Sequence, residues 1–275
     1  MPVPDLIAFA VLLLVLLVSA ATVYGGTLRF LVQRGGRVNP AGFGLADLFT
    51  ASMLAVSFIA LIAAALATQG GAPVEMNVDH VLPGQLLNLI VVAGILAFLH
   101  YRRADLAALF GLRLLPPARA IGVAIVFILA AFPIVSLVNW LTVSGLGRAD
   151  GEQELVSLFR RIAAGHEYAA IGKLVLATVI IAPVCEEFLF RGYFYAVGKR
   201  YVGSLASGLC MALLFAAFHT NLQSLPGLFV LALCLTAAYE RTGSLLVPIG
   251  MHTLYNGSSL ALLYLQSQGA LPSPP

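Results

Sequence analysis

Two adjacent carboxylates, Glu186 and Glu187, and one arginine, Arg191, lie inside a long apolar run of the sequence. A charged side chain at the centre of a bilayer costs about 2.5–3.5 kcal/mol, so a cluster of three predicts a functional site. On a helix, Glu187 and Arg191 stand one turn apart and can form an ion pair. Glu186 is rotated by about 100° from its neighbour, which leaves its carboxylate free for chemistry. Pro183 removes a backbone hydrogen bond and loosens the helix beside both carboxylates.

Two histidines and an asparagine interrupt later apolar runs. His219 comes late in one run, whereas His252 and Asn256 are four residues apart, on one face of a helix, early in another. A lone histidine in a membrane helix usually makes a hydrogen bond to a neighbouring helix, so neither histidine alone indicates chemistry. Together with the two glutamates, these three residues favour a catalytic site over separate structural roles.

The reaction that such groups suit is hydrolysis. A carboxylate beside a histidine can take a proton from water and direct the resulting hydroxide to a carbonyl group. A second histidine and an asparagine amide can donate hydrogen bonds to the oxyanion that forms. The set Glu186, His219 and His252 could instead hold a zinc ion with a bound water. The sequence leaves both mechanisms open, so zinc is a candidate cofactor and no cofactor is established.

Sequence motifs of other hydrolases are absent. His166-Glu167 does not continue to a second histidine at the spacing of an H-E-x-x-H metalloprotease, and the sequence contains no G-x-S-x-G. No aspartate lies in a late helix, which argues against a pair of catalytic aspartates.

The composition is that of a membrane protein. Of 275 residues, 60% are hydrophobic and 10% are charged, and the mean hydropathy is +0.98. These values predict an all-α polytopic fold with about eight transmembrane helices, forming one transmembrane domain over 1–275. The expected partners are the lipid bilayer and a peptide or protein substrate. The small net charge of +3 and the lack of a basic tract argue against nucleic acid.

Apolar runs bounded by Gly, Pro and charged residues place the eight predicted helices. They cover about 6–24, 45–68, 82–101, 118–143, 168–199, 204–220, 226–240 and 244–266. A cleaved signal peptide is the alternative for the first run, but no Lys or Arg precedes that run. The polar segment 145–173 has an amphipathic pattern that predicts a helix at the membrane interface, or a solvated connecting helix with a structural face.

The basic residues indicate the orientation. Most Lys and Arg residues fall after the first, third, fifth and seventh predicted helices. The positive-inside rule then places those loops in the cytoplasm and both termini outside it. We therefore expect a multi-pass protein of the plasma (inner) membrane.

The order of the motifs resembles a known family. They are similar to the three motifs of the CPBP intramembrane proteases, which include type II CAAX prenyl endopeptidases, bacteriocin-processing and immunity proteins, and lysostaphin-resistance-like proteins. In chain order the motifs are Glu186-Glu187-x-x-x-Arg191, Phe215-x-x-x-His219 and His252-x-x-x-Asn256. The resemblance covers roughly 170 to 260, within a motif-bearing core over 168–266, and the N-terminal half has no matching motif.

The resemblance implies an intramembrane endopeptidase of the CAAX type. Such an enzyme hydrolyses a peptide bond of a membrane-associated substrate, which is prenylated in some members, by a glutamate-dependent or a zinc-dependent mechanism. In this chain Glu186 would be the carboxylate that activates water, with His219 as its partner.

The remaining motif residues would assist that step. By the same resemblance His252 and Asn256 would bind the oxyanion, or His252 would bind a metal. Glu187 and Arg191 would support or orient the catalytic groups.

Two other functions fit the sequence. One is a non-catalytic immunity or scaffold protein on the same fold. The other is a transporter that uses Glu186 and the histidines as a proton relay. The candidate oxyanion donors favour hydrolysis over transport, and no repeated half, which is typical of transporters, is visible.

Overall fold

The regular secondary structure of the described residues is entirely helical, which confirms the all-α prediction. The computed structural model describes residues 3–68, 77–146 and 154–271. The elements are α1 (Val3–Arg34), α2 (Leu45–Thr68), α3 (Val78–Tyr101), α4 (Leu106–Leu109), α5 (Pro117–Leu146), α6 (Glu154–Ala164), α7 (Tyr168–Val175), π1 (Leu176–Ile181), α8 (Ala182–Glu187), π2 (Phe188–Tyr195), α9 (Ala196–Phe218), α10 (Leu225–Thr242) and α11 (Leu246–Ser267). Each of the eight predicted helices corresponds to one or more of these elements.

Five helical stretches of the described residues are long and apolar enough to cross a membrane, so the chain is a multi-pass membrane protein. They are Val11–Arg34, Leu45–Ala67, Val81–Tyr101, Pro117–Gly145 and Tyr168–Phe218. The last stretch contains two of the eight predicted helices. The helices α10 and α11 are present but are not among the five stretches, and both carry polar groups such as Glu240, His252 and Asn256.

The backbone of Gly203 divides the longest stretch in two. Its φ of 83° and ψ of 168° belong to a region that is almost restricted to glycine, so the helix axis changes direction there. The two arms then pack closely, because the Ser207 hydroxyl donates to the carbonyl oxygen of Tyr195 at 2.9 Å. A break was predicted between 199 and 204, and the structure confirms it.

The connections that carry most of the basic residues meet at one end of the molecule, which we call the basic end. The backbone N–H of Arg37, after α1, donates to the carbonyl oxygen of Glu240 near the end of α10. The backbone N–H of Leu245, before α11, donates to the carbonyl oxygen of Phe110, which follows α4. Connections far apart in the chain therefore share one end, as the predicted alternation of the helices requires.

The connection 35–44 is fastened across the basic end by a buried glutamate. The carboxylate of Glu240 accepts hydrogen bonds from the Tyr195 hydroxyl, from the Lys199 ammonium, and from the backbone N–H of Val38 at 3.2 Å. Lys199 also donates to the carbonyl oxygen of Val38 at 2.8 Å. We call Glu240, Lys199 and Tyr195 the Glu240 clamp. It joins the N-terminal half of the chain to the motif-bearing core.

The amphipathic helix predicted within 145–173 is α6. Its apolar residues Leu158, Phe159, Ile162 and Ala163 are buried, and they form a cluster with residues of α7 and α11. This packing matches the alternative of a connecting helix with a structural face, because the apolar stripe is covered by protein.

The helix α11, which carries two of the motif residues, is held mainly by α5. Apolar residues of α5, α10 and α11 form one cluster that includes Ala124, Phe127, Leu235, Val247 and Met251. This cluster fixes the position of α11 relative to the elements that carry the glutamates.

Candidate active site

The two glutamates lie in a short α-helical segment, α8, between two π-helical segments. The N–H of Ala182 donates to the carbonyl oxygen of Ala177, five residues earlier, which is the π-helical pattern. Pro183 follows directly and has no N–H to donate. The loosening of the helix that the sequence predicted is therefore a change of register just before the glutamates.

This register leaves the backbone carbonyl of Thr178 without a donor from its own helix. In α-helical register it would accept from Ala182, whose N–H is bound to Ala177. In π-helical register it would accept from residue 183, which is a proline. The side-chain amide of Asn256 supplies the missing donor, with Nδ2 at 2.9 Å from the Thr178 oxygen.

Glu187 and Arg191 form the predicted ion pair. Oε1 of Glu187 lies 2.8 Å from Nη1 of Arg191, and the two side chains are 0% and 2% exposed. The second guanidinium nitrogen donates to the carbonyl oxygen of Ala232 at 3.2 Å, and Cζ lies 4.5 Å from the centre of the Phe215 ring. These contacts compensate a buried charge that would otherwise be costly in an apolar environment.

His252 lies between the two adjacent carboxylates. Its Nδ1 is 2.8 Å from Oε1 of Glu187, and its Nε2 is 3.9 Å from Oε2 of Glu186. Because a carboxylate can only accept, Nδ1 carries the proton and a neutral ring turns an Nε2 lone pair towards Glu186. The gap of 3.9 Å is too long for a direct hydrogen bond but suits a water that bridges both atoms. The sequence did not indicate the contact between His252 and Glu187.

His219 lies at the C-terminal end of α9, where its Nδ1 is 2.9 Å from the carbonyl oxygen of Phe215. The centre of the Phe215 ring is 4.9 Å from that of His219 and 5.8 Å from that of His252. One late and one early histidine therefore approach the same phenyl ring. Phe215, which the sequence marked only as part of a motif, separates the two imidazoles and also carries the guanidinium of Arg191.

The structure brings together some of the predicted catalytic residues more directly than others. His252 lies within 4 Å of both Glu186 and Glu187. The ring of His219 packs against Phe215, and the other neighbour of Phe215 is the ring of His252. Asn256 was expected to bind the oxyanion, and in the structure one of its amide hydrogens is bound to the backbone of π1.

The zinc alternative depends on the same residues. In both His219 and His252, Nδ1 faces an oxygen acceptor and Nε2 is the second ring nitrogen. Metal-bound histidines use the same arrangement, with Nε2 as the ligand. However, within 3–68, 77–146 and 154–271 no three His, Cys, Asp or Glu side chains form a group that could hold a metal ion. The alternative set Glu186, His219 and His252 as zinc ligands therefore stays a prediction.

Comparison with known proteins finds one matching segment, which contains the motifs. Residues 170–258 match a family model described as Type II CAAX prenyl endopeptidase Rce1-like, and this range contains all six candidate site residues. An uncharacterized 24.3 kDa protein of Escherichia coli is 39% identical over 97 residues, which are 33% of this chain and 44% of that protein. The membrane-embedded CAAX protease MroQ of Staphylococcus aureus (strain USA300) is 32% identical over 84 residues, or 28% and 34% of the respective chains. The chain thus spans less than half the length of either relative, and no solved structure matches it.

Proposed function

We propose that this chain is an intramembrane endopeptidase of the CAAX type and a member of the CPBP family, because residues 170–258 match the Rce1-like family model. The observation that supports the proposal best is the position of His252 between Glu187 and Glu186. The proposed substrate is a membrane-associated peptide or protein, with a prenylated peptide as the first class to test. The proposed location is the plasma (inner) membrane, with the basic end in the cytoplasm.

In this proposal Glu186 is the general base. Glu187 is held by Arg191 and by Nδ1 of His252, whereas Glu186 is 13% exposed and faces a lone pair of the same imidazole. A water that donates to Oε2 of Glu186 and to Nε2 of His252 keeps its own lone pairs free for attack. The carboxylate is then available to take the proton of that water.

The steps balance as an ordinary peptide hydrolysis. The water oxygen attacks the carbonyl carbon while its proton passes to Glu186, and the carbonyl oxygen becomes an oxyanion. Glu186 then delivers the proton to the amide nitrogen as the carbon–nitrogen bond breaks. The products are a carboxylic acid and an amine, which ionise in water to a carboxylate and an ammonium group, and no other reactant is consumed.

Glu187 has a supporting role in this scheme. Its bond to Nδ1 selects the tautomer of His252 and fixes the ring plane, as the buried carboxylate of a hydrolytic triad does. It also stabilises the imidazolium if His252 takes a proton, and in that form Nε2 can donate to the oxyanion. His219 and the second amide hydrogen of Asn256 remain the other proposed contacts of the reacting groups.

The test is cleavage by the purified, full-length protein in liposomes. Two fluorogenic peptides that differ only in a prenyl group on a cysteine near the C-terminus would be compared, for wild type and Glu186→Gln. We expect cleavage that depends on Glu186 and that persists in the presence of a metal chelator. Cleavage that is equal in both proteins would contradict the assignment of the base, and no cleavage of any membrane peptide would contradict the protease itself.

A further inference from the structure

We propose that Asn256 is a positioning residue, whose side-chain amide replaces the backbone donor that Pro183 lacks and so fixes the direction of Glu186. The proposal rests on the proposed function for its effect on the rate of cleavage. Its effect on stability does not depend on any activity.

The backbone of π1 explains why a side chain is needed. The Thr178 residue is 8% exposed, and its own hydroxyl donates to the carbonyl oxygen of Leu174. Both N–H groups that could reach the Thr178 carbonyl along the helix are lost, one to Ala177 and one to the proline ring. A carbonyl without a donor is costly in an apolar environment, so the bond from Asn256 stabilises the π-helical register.

The register of π1 decides which carboxylate faces His252. The segment α8 follows π1 without a break, so a change from π-helical to α-helical register would rotate α8 by about one residue, or about 100°. Glu186 and Glu187 are adjacent and differ by the same angle. A slip of one residue would therefore turn one carboxylate into the direction of the other and carry the second away from His252.

The helix α11 thus makes two bonds to the segment that carries the glutamates. His252 binds Glu187 beyond π1, and Asn256, one turn later in α11, binds Thr178 within π1. The four-residue spacing of His252 and Asn256 places one side chain beside Glu187 and the other beside Thr178. This account differs from a role in oxyanion binding alone, because it makes the need for Asn256 depend on Pro183.

A double-mutant cycle tests this dependence. Wild type, Asn256→Ala, Pro183→Ala and the double variant would be compared by Tm in detergent and by kcat and KM in liposomes. We expect Asn256→Ala to lower Tm by about 2–4 °C and to lower kcat at least about tenfold with little change in KM. With Pro183→Ala present, an N–H at 183 can serve the Thr178 carbonyl, and both losses should shrink to less than half.

A matched control uses Pro83, an exposed proline inside α3. In a Pro83→Ala background, Asn256→Ala should cost as much Tm and as much kcat as it does in wild type. This comparison separates a specific effect of residue 183 from a general effect of removing a helical proline.

The outcomes are decisive in either direction. Asn256→Ala that lowers kcat without changing Tm, or that lowers Tm equally in both backgrounds, would overturn the proposal. A rescue of Tm without a rescue of kcat would overturn the positioning role, and an inactive Pro183→Ala protein would leave the decision to the Tm cycle. If wild type cleaves no substrate, the proposed function fails, while the Tm cycle still decides the role of Asn256.

Discussion

Nδ1 of His252 and Oε1 of Glu187 are 2.8 Å apart, and the same carboxylate oxygen lies 2.8 Å from Nη1 of Arg191. One buried oxygen therefore serves an imidazole from α11 and a guanidinium from π2. The arrangement separates the duties of the two adjacent glutamates, because Glu187 is fixed by two partners while Glu186 meets only the far side of the imidazole. Predictions for the two residues differ accordingly.

Glu186→Gln should remove cleavage and leave the fold intact. The amide keeps the shape of the side chain but cannot take a proton, so kcat should fall by at least about 100-fold, the lower range for a general base. The Tm in detergent should change little. The matched control is Glu154→Gln, at an exposed position of α6, which should alter neither value. A fully active Glu186→Gln protein would remove Glu186 from the mechanism.

Arg191→Leu should destabilise the protein, because it leaves the charge of Glu187 buried and unpaired by a cation. Breaking a buried pair in this way costs about 3–5 kcal/mol. The double variant Glu187→Leu/Arg191→Leu removes both charges and should recover most of the lost stability. It should remain inactive, because His252 loses the group that orients it. Chemical unfolding in detergent gives the stabilities, and a double variant no more stable than the single one would contradict the pairing.

Gly203→Ala should be destabilising, whereas Gly122→Ala should not. The φ of 83° and ψ of 168° at Gly203 are unfavourable for any residue with a β-carbon, so the substitution should cost about 1–3 kcal/mol. Gly122 lies inside α5, and a β-carbon there would meet no atom within 4 Å. Alanine at 122 should therefore stabilise the helix by about 0.5–1 kcal/mol. Equal effects at both positions would argue against the change of direction at Gly203.

Glu240→Gln should release the connection 35–44 from the basic end. The substitution removes the charge that binds Lys199 and weakens the bonds to Tyr195 and Val38, so trypsin should cut faster after the exposed Arg37. Limited digestion of the solubilised protein measures this rate. Glu167→Gln, an exposed change at the opposite end, should leave it unaltered. Unchanged cleavage in Glu240→Gln would show that the clamp does not restrain the connection.

The orientation can be checked by labelling of single cysteines. The background lacks Cys185, Cys210 and Cys234. A membrane-impermeant maleimide added to intact cells should label a cysteine at Ala270, and it should label a cysteine at Val202 only after the cells are opened. Both positions are exposed, and they lie at opposite ends of the helices. If Val202 and Ala270 were labelled from the same side, the chain between them would cross the membrane an even number of times. The proposed orientation requires an odd number.

The sequence was most informative where a contact is local. The pair Glu187 and Arg191 follows from i,i+4 spacing, and the change of direction at Gly203 follows from a glycine between two apolar runs. The helices themselves follow from runs of apolar residues, whose lengths match the bilayer. In each case the residues concerned lie within a few positions of one another, so one sequence contains the necessary information.

The contacts that complete the site join distant parts of the chain. His252 and Glu187 are 65 residues apart, and Asn256 and Thr178 are 78 residues apart. No periodicity within a single sequence specifies which helices become neighbours or how far each is displaced along its axis. The π-helical register could not be predicted from the sequence either, because an apolar run has the same composition in either register. Pro183 was the one local signal of that irregularity.

The Glu240 clamp has a consequence for folding during synthesis of the protein. Val38 is bound by a residue that follows it by 202 positions in the chain. At about 5–20 residues per second, a ribosome needs on the order of 10–40 s to make the intervening segment. During that interval the connection 35–44 lacks its bond to Glu240. A nascent chain that stops before residue 240 therefore lacks the carboxylate that completes the Glu240 clamp.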